Sequence, residues 1–340
     1  MNKLLSSTLL GLMVLLAAAC KQDTQTPTGP QTVLPLSSGG STAHPALAWP
    51  SYVSSNNNQY SNLMVSDTDA SHQTSILRAW ANTNSIQYFN PSWSSSGGSL
   101  AFAITRFGGA ADSVYVIDVS DNSHGTPVGS NLRGICALPS GVYLDRWQGG
   151  LAWSSTSSMG EIAFIGNKTV YVVSSSGGTP TAIFSQTTLG GPSGISWSPD
   201  DSRLAITRWD SAWGHTILIF NTSTWSVVDS ISVGNAQFGK LAWSRSGANK
   251  LAFGMTTRTW NGSAWTYASG FYYCDPTTGA TPSGGYTGDV GQWSPNNTSL
   301  IYPAATSGNW YLVKVPAYGT SATQLGSIPI SVNNGFDWKR

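Results

Sequence analysis

The chain of 340 residues carries 16 Lys and Arg against 15 Asp and Glu, and only 9% of its residues are charged, compared with roughly 25% in an average soluble domain. A balance this neutral and sparse leaves no electrostatic footprint for nucleic acid, which is excluded as a partner. The length would hold two average domains, but the repeat described below argues for one closed unit.

In chain order, the first element is a processing signal. Lys3 supplies the positive start, Leu4 to Leu16 the apolar core, and Ala17, Ala18 and Ala19 the small cleavage residues. Residues 1–19 are therefore expected to be a signal peptide. A Cys directly after such a site, Cys20, resembles the lipobox of bacterial lipoproteins. The resemblance implies lipidation at Cys20, and Lys21 in place of Asp implies an outer-membrane destination, periplasmic or surface-facing. The alternative is an ordinary secretory signal followed by a chance Cys. Several acyl chains at about 0.8 kcal/mol per buried methylene would hold the protein durably. Residues 20–43 are rich in Thr, Pro, Gln, Ser and Gly and read as a flexible tether. No second stretch is long and apolar enough to span a bilayer, so membrane contact is expected only through the lipid.

From residue 44 onward a Trp recurs at the end of a short segment. The copies are Pro91-Ser92-Trp93-Ser94, Leu151-Ala152-Trp153-Ser154, Ile195-Ser196-Trp197-Ser198, Leu241-Ala242-Trp243-Ser244, Gly291-Gln292-Trp293-Ser294 and Phe336-Asp337-Trp338, spaced by 60, 44, 46, 50 and 45 residues. A polar turn and an apolar run follow each full copy, as in Leu100-Ala101-Phe102 or Leu204-Ala205-Ile206, then a third run such as Ile217-Leu218-Ile219 and a weaker fourth. Four short strands per period, with no helical pattern between copies, predict an all-β, six-bladed β-propeller of four-stranded antiparallel blades over residues 44–340. The first unit lacks its Trp strand. Ala46 to Trp49 aligns with a second strand, Asn62 to Ser66 with a third and Thr74 to Leu77 with a fourth. The C-terminal Phe336-Asp337-Trp338 is expected to supply the missing strand, closing the ring and leaving no dangling edge.

The Trp-Ser-Pro-Asp turn at 197–200 with Leu204-Ala205-Ile206, and the segment from Leu63 to Ser71, resemble the repeats of the TolB-like (PD40, WD40-like) propeller family. The resemblance covers residues 46–340 and implies the fold more than any one function, since relatives include scaffolds, peptidase caps and lyases. TolB itself carries an α/β domain ahead of its propeller, for which this chain has no room.

Chemistry is sparse. The chain has one Glu, Glu161, and four His (His44, His72, His124 and His215) scattered over different units. No nucleophile elbow or zinc helix occurs, so no catalytic residue, metal site or cofactor is expected. Asp67, Asp118, Asp200, Asp201 and Asp275 fall at repeat-equivalent turns and are read as turn-closing. Asp67-Thr68-Asp69 opens like a calcium loop but lacks the Gly at its sixth position and an acid at its twelfth. With Cys20 as the anchor, Cys136, placed in the connection between blades two and three, and Cys274 are expected to remain unpaired thiols.

One feature exceeds the repeat background. After the second strand three blades place an Arg and then an aromatic: Arg106 and Phe107, Arg208 and Trp209, Arg258 and Trp260. Propeller folds bring the connections after the second and fourth strands to one rim, which would also receive Trp213, Trp265 and Trp310, and, from the long segment 138–149, Arg146 and Trp147. Guanidinium forks and aromatic faces suit peptide carboxylates, carbonyls and sugar rings. The competing reading makes each Arg part of the repeat, bonding neighbouring carbonyls. The function expected first is a monomeric, non-catalytic scaffold of the cell envelope that binds a protein or peptide; the alternative is a carbohydrate-binding propeller using the rim Trp set, and the shortage of Glu and clustered His counts against a propeller lyase or hydrolase.

Overall fold

The computed structural model describes residues 46–55, 58–80, 86–106, 112–121, 126–138, 142–144, 150–186, 190–211, 213–245, 249–276, 283–286, 291–306, 309–316, 323–327 and 335–339. Six four-stranded antiparallel sheets form the blades of a propeller. Blade 1 contains β1 (Leu47–Ser55), β2 (Asn58–Ser66) and β3 (Thr74–Trp80); blade 2 runs through β4 (Ile86–Trp93), β5 (Ser99–Arg106), β6 (Ser113–Asp121) and β7 (Pro127–Ala137). Blade 3 comprises β8 (Leu151–Trp153), β9 (Glu161–Gly166), β10 (Thr169–Ser174) and β11 (Thr181–Ser185), and blade 4 β12 (Pro192–Trp197), β13 (Arg203–Ser211), β14 (Gly214–Asn221) and β15 (Ser226–Ser232). Blade 5 holds β16 (Ala236–Trp243), β17 (Leu251–Trp260), β18 (Trp265–Cys274) and β19 (Ser283–Tyr286), and blade 6 β20 (Gln292–Trp293), β21 (Ser299–Thr306), β22 (Asn309–Pro316) and β23 (Thr323–Ser327).

The terminal β24 (Asp337–Trp338) pairs antiparallel with β1, Leu47 opposite Trp338 and Ala48 opposite Asp337. Blade 1 is thus completed from the far end of the chain, as the truncated final repeat predicts. The repeat Trp residues are core: Trp93 and Trp293 are wholly buried, and Trp153, Trp197, Trp243 and Trp338 nearly so. The Ser after each Trp but the last has a structural task. Its Oγ accepts the N–H that opens the next strand, at 3.1 Å from Ser99 to Ser94, 3.0 Å from Arg203 to Ser198 and 3.0 Å from Ser299 to Ser294. Four residues past the Trp, Gly97, Asp201 and Asn297 take left-handed φ values of 69°, 56° and 57°, which is why Gly, Asp and Asn fill that place.

Neighbouring blades are joined through the same short segments. Asp201 accepts from the N–H groups of Ser155 and Thr156 in blade 3, and Asn297 accepts from the N–H of Arg245 in blade 5 at 2.6 Å. Ser92 and Ser196 accept from the N–H of the following blade's Trp153 and Trp243, at 3.0 and 2.8 Å. In the corresponding place Asp337 accepts from Trp93 N at 2.7 Å, and it also pairs with Arg245 at 3.1 Å, both partners being nearly buried at 9% and 6% side-chain exposure. The ring is therefore fastened by a hydrogen-bonded ion pair reaching from the closing strand to blade 5.

Three expectations need correction. Asp201 fastens blade 4 to blade 3 rather than merely closing its own turn. Asp118 lies inside β6, where it accepts from Ser99, Asn131 and Arg133, because the strand runs on past the expected turn. Cys136 lies in β7, not in a connection. Cys274 is a free thiol, as expected, and burial pushes its pKa up to about 12. Asp67 and Asp200 do serve their turns. Asp67 binds His72 at 2.7 Å and Ser71 at 3.3 Å, leaving the calcium-loop reading without its first ligand.

Candidate binding rim

The rim after the second strands is dominated by blade 5. Strands β17 and β18 stay paired from Leu251–Cys274 out to Trp260–Trp265, so the hairpin projects as a two-stranded ribbon. Its tip is set by Asn261-Gly262-Ser263-Ala264. The Asn261 side chain accepts from the N–H of Ser263 and Ala264 at 3.0 and 2.8 Å, and Gly262 supplies a φ of 101° that other residues rarely adopt.

Register divides the ribbon into two unlike faces. Thr256, Arg258 and Trp260 stand opposite Ser269, Tyr267 and Trp265 and share one face. The other face carries Thr257, Thr259, Thr266 and Ala268, small side chains tied back to the ribbon by bonds such as Thr266 Oγ1 to Thr259 O at 3.0 Å. On the aromatic face Trp260, Trp265 and Tyr267 are 52%, 40% and 60% exposed. Large aromatics this open at a projecting tip contribute little to the core and form a patch of the kind used for association.

Trp213, just before β14 in blade 4, completes the group. Its ring lies 5.3 Å from Tyr267, and the Arg258 guanidinium is centred 4.7 Å from the Trp213 ring and 4.3 Å from that of Trp265. Trp260 packs on Trp265 at 5.5 Å with the planes 59° apart. The structure thus brings together Trp213, Arg258, Trp260 and Trp265 from the predicted set and adds Tyr267. The alternation Trp265-Thr266-Tyr267 and the Trp260-Asn261-Gly262-Ser263-Ala264-Trp265 turn were the legible signals for it.

Trp209 does not join them. It is half-buried, its indole donates to Ser193 Oγ at 3.1 Å, and its ring stacks on buried His215 at 4.7 Å. His215 accepts from Phe238 N at 2.9 Å, and burial holds its imidazole below the ordinary range. Arg208 forms an ion pair with Asp210 of its own strand at 2.6 Å. Arg106 ends β5, the second strand of blade 2, and Trp310 lies near the start of β22, the third strand of blade 6, though nothing is described of their side chains. Phe107, Arg146 and Trp147 fall outside the described residues, as does Cys20.

A second concavity is the central channel, lined from the innermost strands by residues including Asn90, Ser155, Lys240, Arg245, Gln292 and Asp337. Its Arg245 and Asp337 are engaged in closing the ring, and Lys240 lies 5.8 Å from the Phe336 ring. Glu161 lies away from the aromatic ribbon in β9, its carboxyl raised by burial and by nearby Asp201. Among the described residues no group of three or more His, Cys, Asp or Glu stands close enough to hold a metal, and no helix is long and apolar enough to cross a membrane.

No protein-family profile matches the sequence, and no curated protein is significantly similar to it. Solved structures are more informative. TolB from Acinetobacter baumannii superposes with a TM-score of 0.62 at 15% identity, covering 86% of this chain and 66% of that one. The two chains share the six-bladed propeller fold. The chain spans just under two-thirds of the length of that TolB, and the likeness concerns the TolB-type fold alone. The same architecture recurs in a nidogen/laminin complex, with a TM-score of 0.52, 11% identity and coverage of 86% and 96%. It recurs again in Kuenenia stuttgartiensis hydrazine synthase, with a TM-score of 0.51, 13% identity and coverage of 75% and 73%. Proteins this different share one ring, so the fold does not fix the function and the rim must carry it.

Proposed function

We propose that this chain is a non-catalytic binding propeller of the bacterial cell envelope, tethered by a lipid on Cys20, that engages a protein or peptide through the blade 4 and blade 5 rim. The observation that carries the reading is the projecting ribbon with Trp260, Trp265 and Tyr267 exposed on one face. Burying such rings against a partner contributes far more than burying polar rim residues, and aromatics with an Arg are the usual anchors of interfaces. The Ala-Ala-Ala-Cys junction and the polar segment after it support the tether. The TolB likeness is consistent with a scaffold and adds no partner.

Against a carbohydrate platform stands the ring geometry. Trp260 and Trp265 are inclined by 59° and Trp213 and Tyr267 by 39°, which makes clefts for side chains rather than a flat bed for a sugar ring.

The test is a photocrosslinking amino acid placed at Tyr267 in cells making the full chain, with the same group at exposed Val227 of β15 as control. Discrete protein adducts at 267 and none at 227 are expected. Equal adducts at both, or none at 267 with binding on a glycan array, would overturn the reading. Mass spectrometry of the mature N-terminal peptide tests the anchor separately. A diacylglyceryl thioether on Cys20 supports it, and a Cys20 thiol free or engaged in a disulfide refutes it.

A further inference from the structure

The arginines that blades 4 and 5 carry towards the rim, Arg208 and Arg258, are treated differently by their surroundings. Arg208 has its own counter-ion, Asp210, at 2.6 Å. Arg258 has none among the described residues. Its guanidinium lies over the Trp213 and Trp265 rings at 4.7 and 4.3 Å, and its Nε is buried with no hydrogen-bond partner. In a chain with 9% charged residues, an uncompensated cation held between two indoles is a conspicuous expense. Cation–π attraction returns some of the lost hydration, but indole faces accept no hydrogen bonds from the guanidinium edge. The fork therefore retains donors for which the described residues supply no acceptor, while the rings on either side restrict its rotation.

Resting on the peptide-binding reading above, we infer that Trp213, Arg258 and Trp265 form a carboxylate clamp, and that the rim recognises an acidic peptide. A ligand Asp, Glu or C-terminal carboxylate meets the edge of Arg258 with paired charge-assisted hydrogen bonds. Its neighbouring side chains lie in the clefts beside Trp260 and Tyr267. Because the guanidinium is already oriented by the two indoles, little of its freedom is lost on binding. Restriction of the cation by rings from two blades also makes the clamp depend on the packing of the blade 4 and blade 5 hairpins against each other.

The experiment uses the full chain purified in detergent and a phage-displayed library of random 12-residue peptides. Selected peptides are resynthesised in two forms, one as found and one with every Asp and Glu changed to Asn and Gln and the C-terminus amidated. Enrichment of acidic residues is expected, with affinity falling about tenfold or more in the neutral form. Arg258→Gln should weaken the acidic peptide to the same degree and leave the neutral form within about twofold, and Arg258→Lys should restore only part of the loss. A melt of each variant confirms that the fold persists, and Trp260→Ala provides a second ribbon variant that leaves the cation in place.

Peptides that bind through Trp260 and Trp265 with no acidic preference and no response to Arg258→Gln would overturn the clamp while leaving the peptide-binding reading intact. Failure to select any peptide whose binding responds to Trp260→Ala would overturn both. Binding of a polyuronate chain in preference to every acidic peptide would also refute the inference, by assigning the carboxylate to a glycan.

Discussion

Removing the Asp337 carboxylate tests the ring closure directly. Asp337 accepts from Trp93 N at 2.7 Å and Trp338 N at 2.8 Å, and pairs with Arg245 at 3.1 Å where the two side chains are only 9% and 6% exposed. In Asp337→Ala the Arg245 charge stays buried without its partner, a change that costs about 3–5 kcal/mol in comparable buried pairs. The orphaned Trp93 N–H falls within the same loss, since effects at one network do not add. Asp337→Asn keeps an acceptor and should lose less. Arg245→Met in the Asp337→Ala background should recover at least about 1 kcal/mol relative to the sum of the single changes, because the unpaired cation is gone. Urea unfolding of the full chain, followed by Trp fluorescence, measures all four. A loss below about 1 kcal/mol in Asp337→Ala, or strict additivity in the double variant, would show that the ion pair does not fasten the ring.

The tryptophans should separate by stability alone. Trp260→Ala should stay within about 0.5 kcal/mol of the parent, as an exposed site does, whereas Trp197→Ala should lose about 3–5 kcal/mol; equal losses at the two would make the ribbon aromatics part of the core. Stability should also carry a His215 signature. Burial lowers its folded pKa below the ordinary value of about 6.5, so the unfolded chain binds the proton first. Its contribution is complete above pH 6.5 and is lost as the pH falls from there through the depressed folded value. Subtracting the unfolding profile of His215→Gln, which can still accept from Phe238 N, should isolate that slope, and parallel profiles would refute it.

Much of the architecture was written in local pattern. Strands of this kind alternate short apolar runs with turn residues, and a left-handed turn needs a specific small residue, so Trp-Ser followed by Gly, Asp or Asn marks blades 2, 4 and 6. The unpaired first unit and the truncated last one predicted their own union, because an open blade would expose a strand edge. Turn chemistry and strand period are properties of a few adjacent residues, which makes them legible without coordinates. The site was legible only in part. Arg208 and Arg258 look alike in sequence, as do Trp209 and Trp260, yet their surroundings differ: Asp210 neutralises one Arg and two indoles hold the other, while Ser193 and His215 claim Trp209 and leave Trp260 in solvent. The tasks of Asp201 and Arg245 were hidden for the same reason, since their partners lie 46 and 92 residues away along the chain. Exposure, charge compensation and contact between blades depend on which residues the ring brings face to face, and that is decided only when the ring closes.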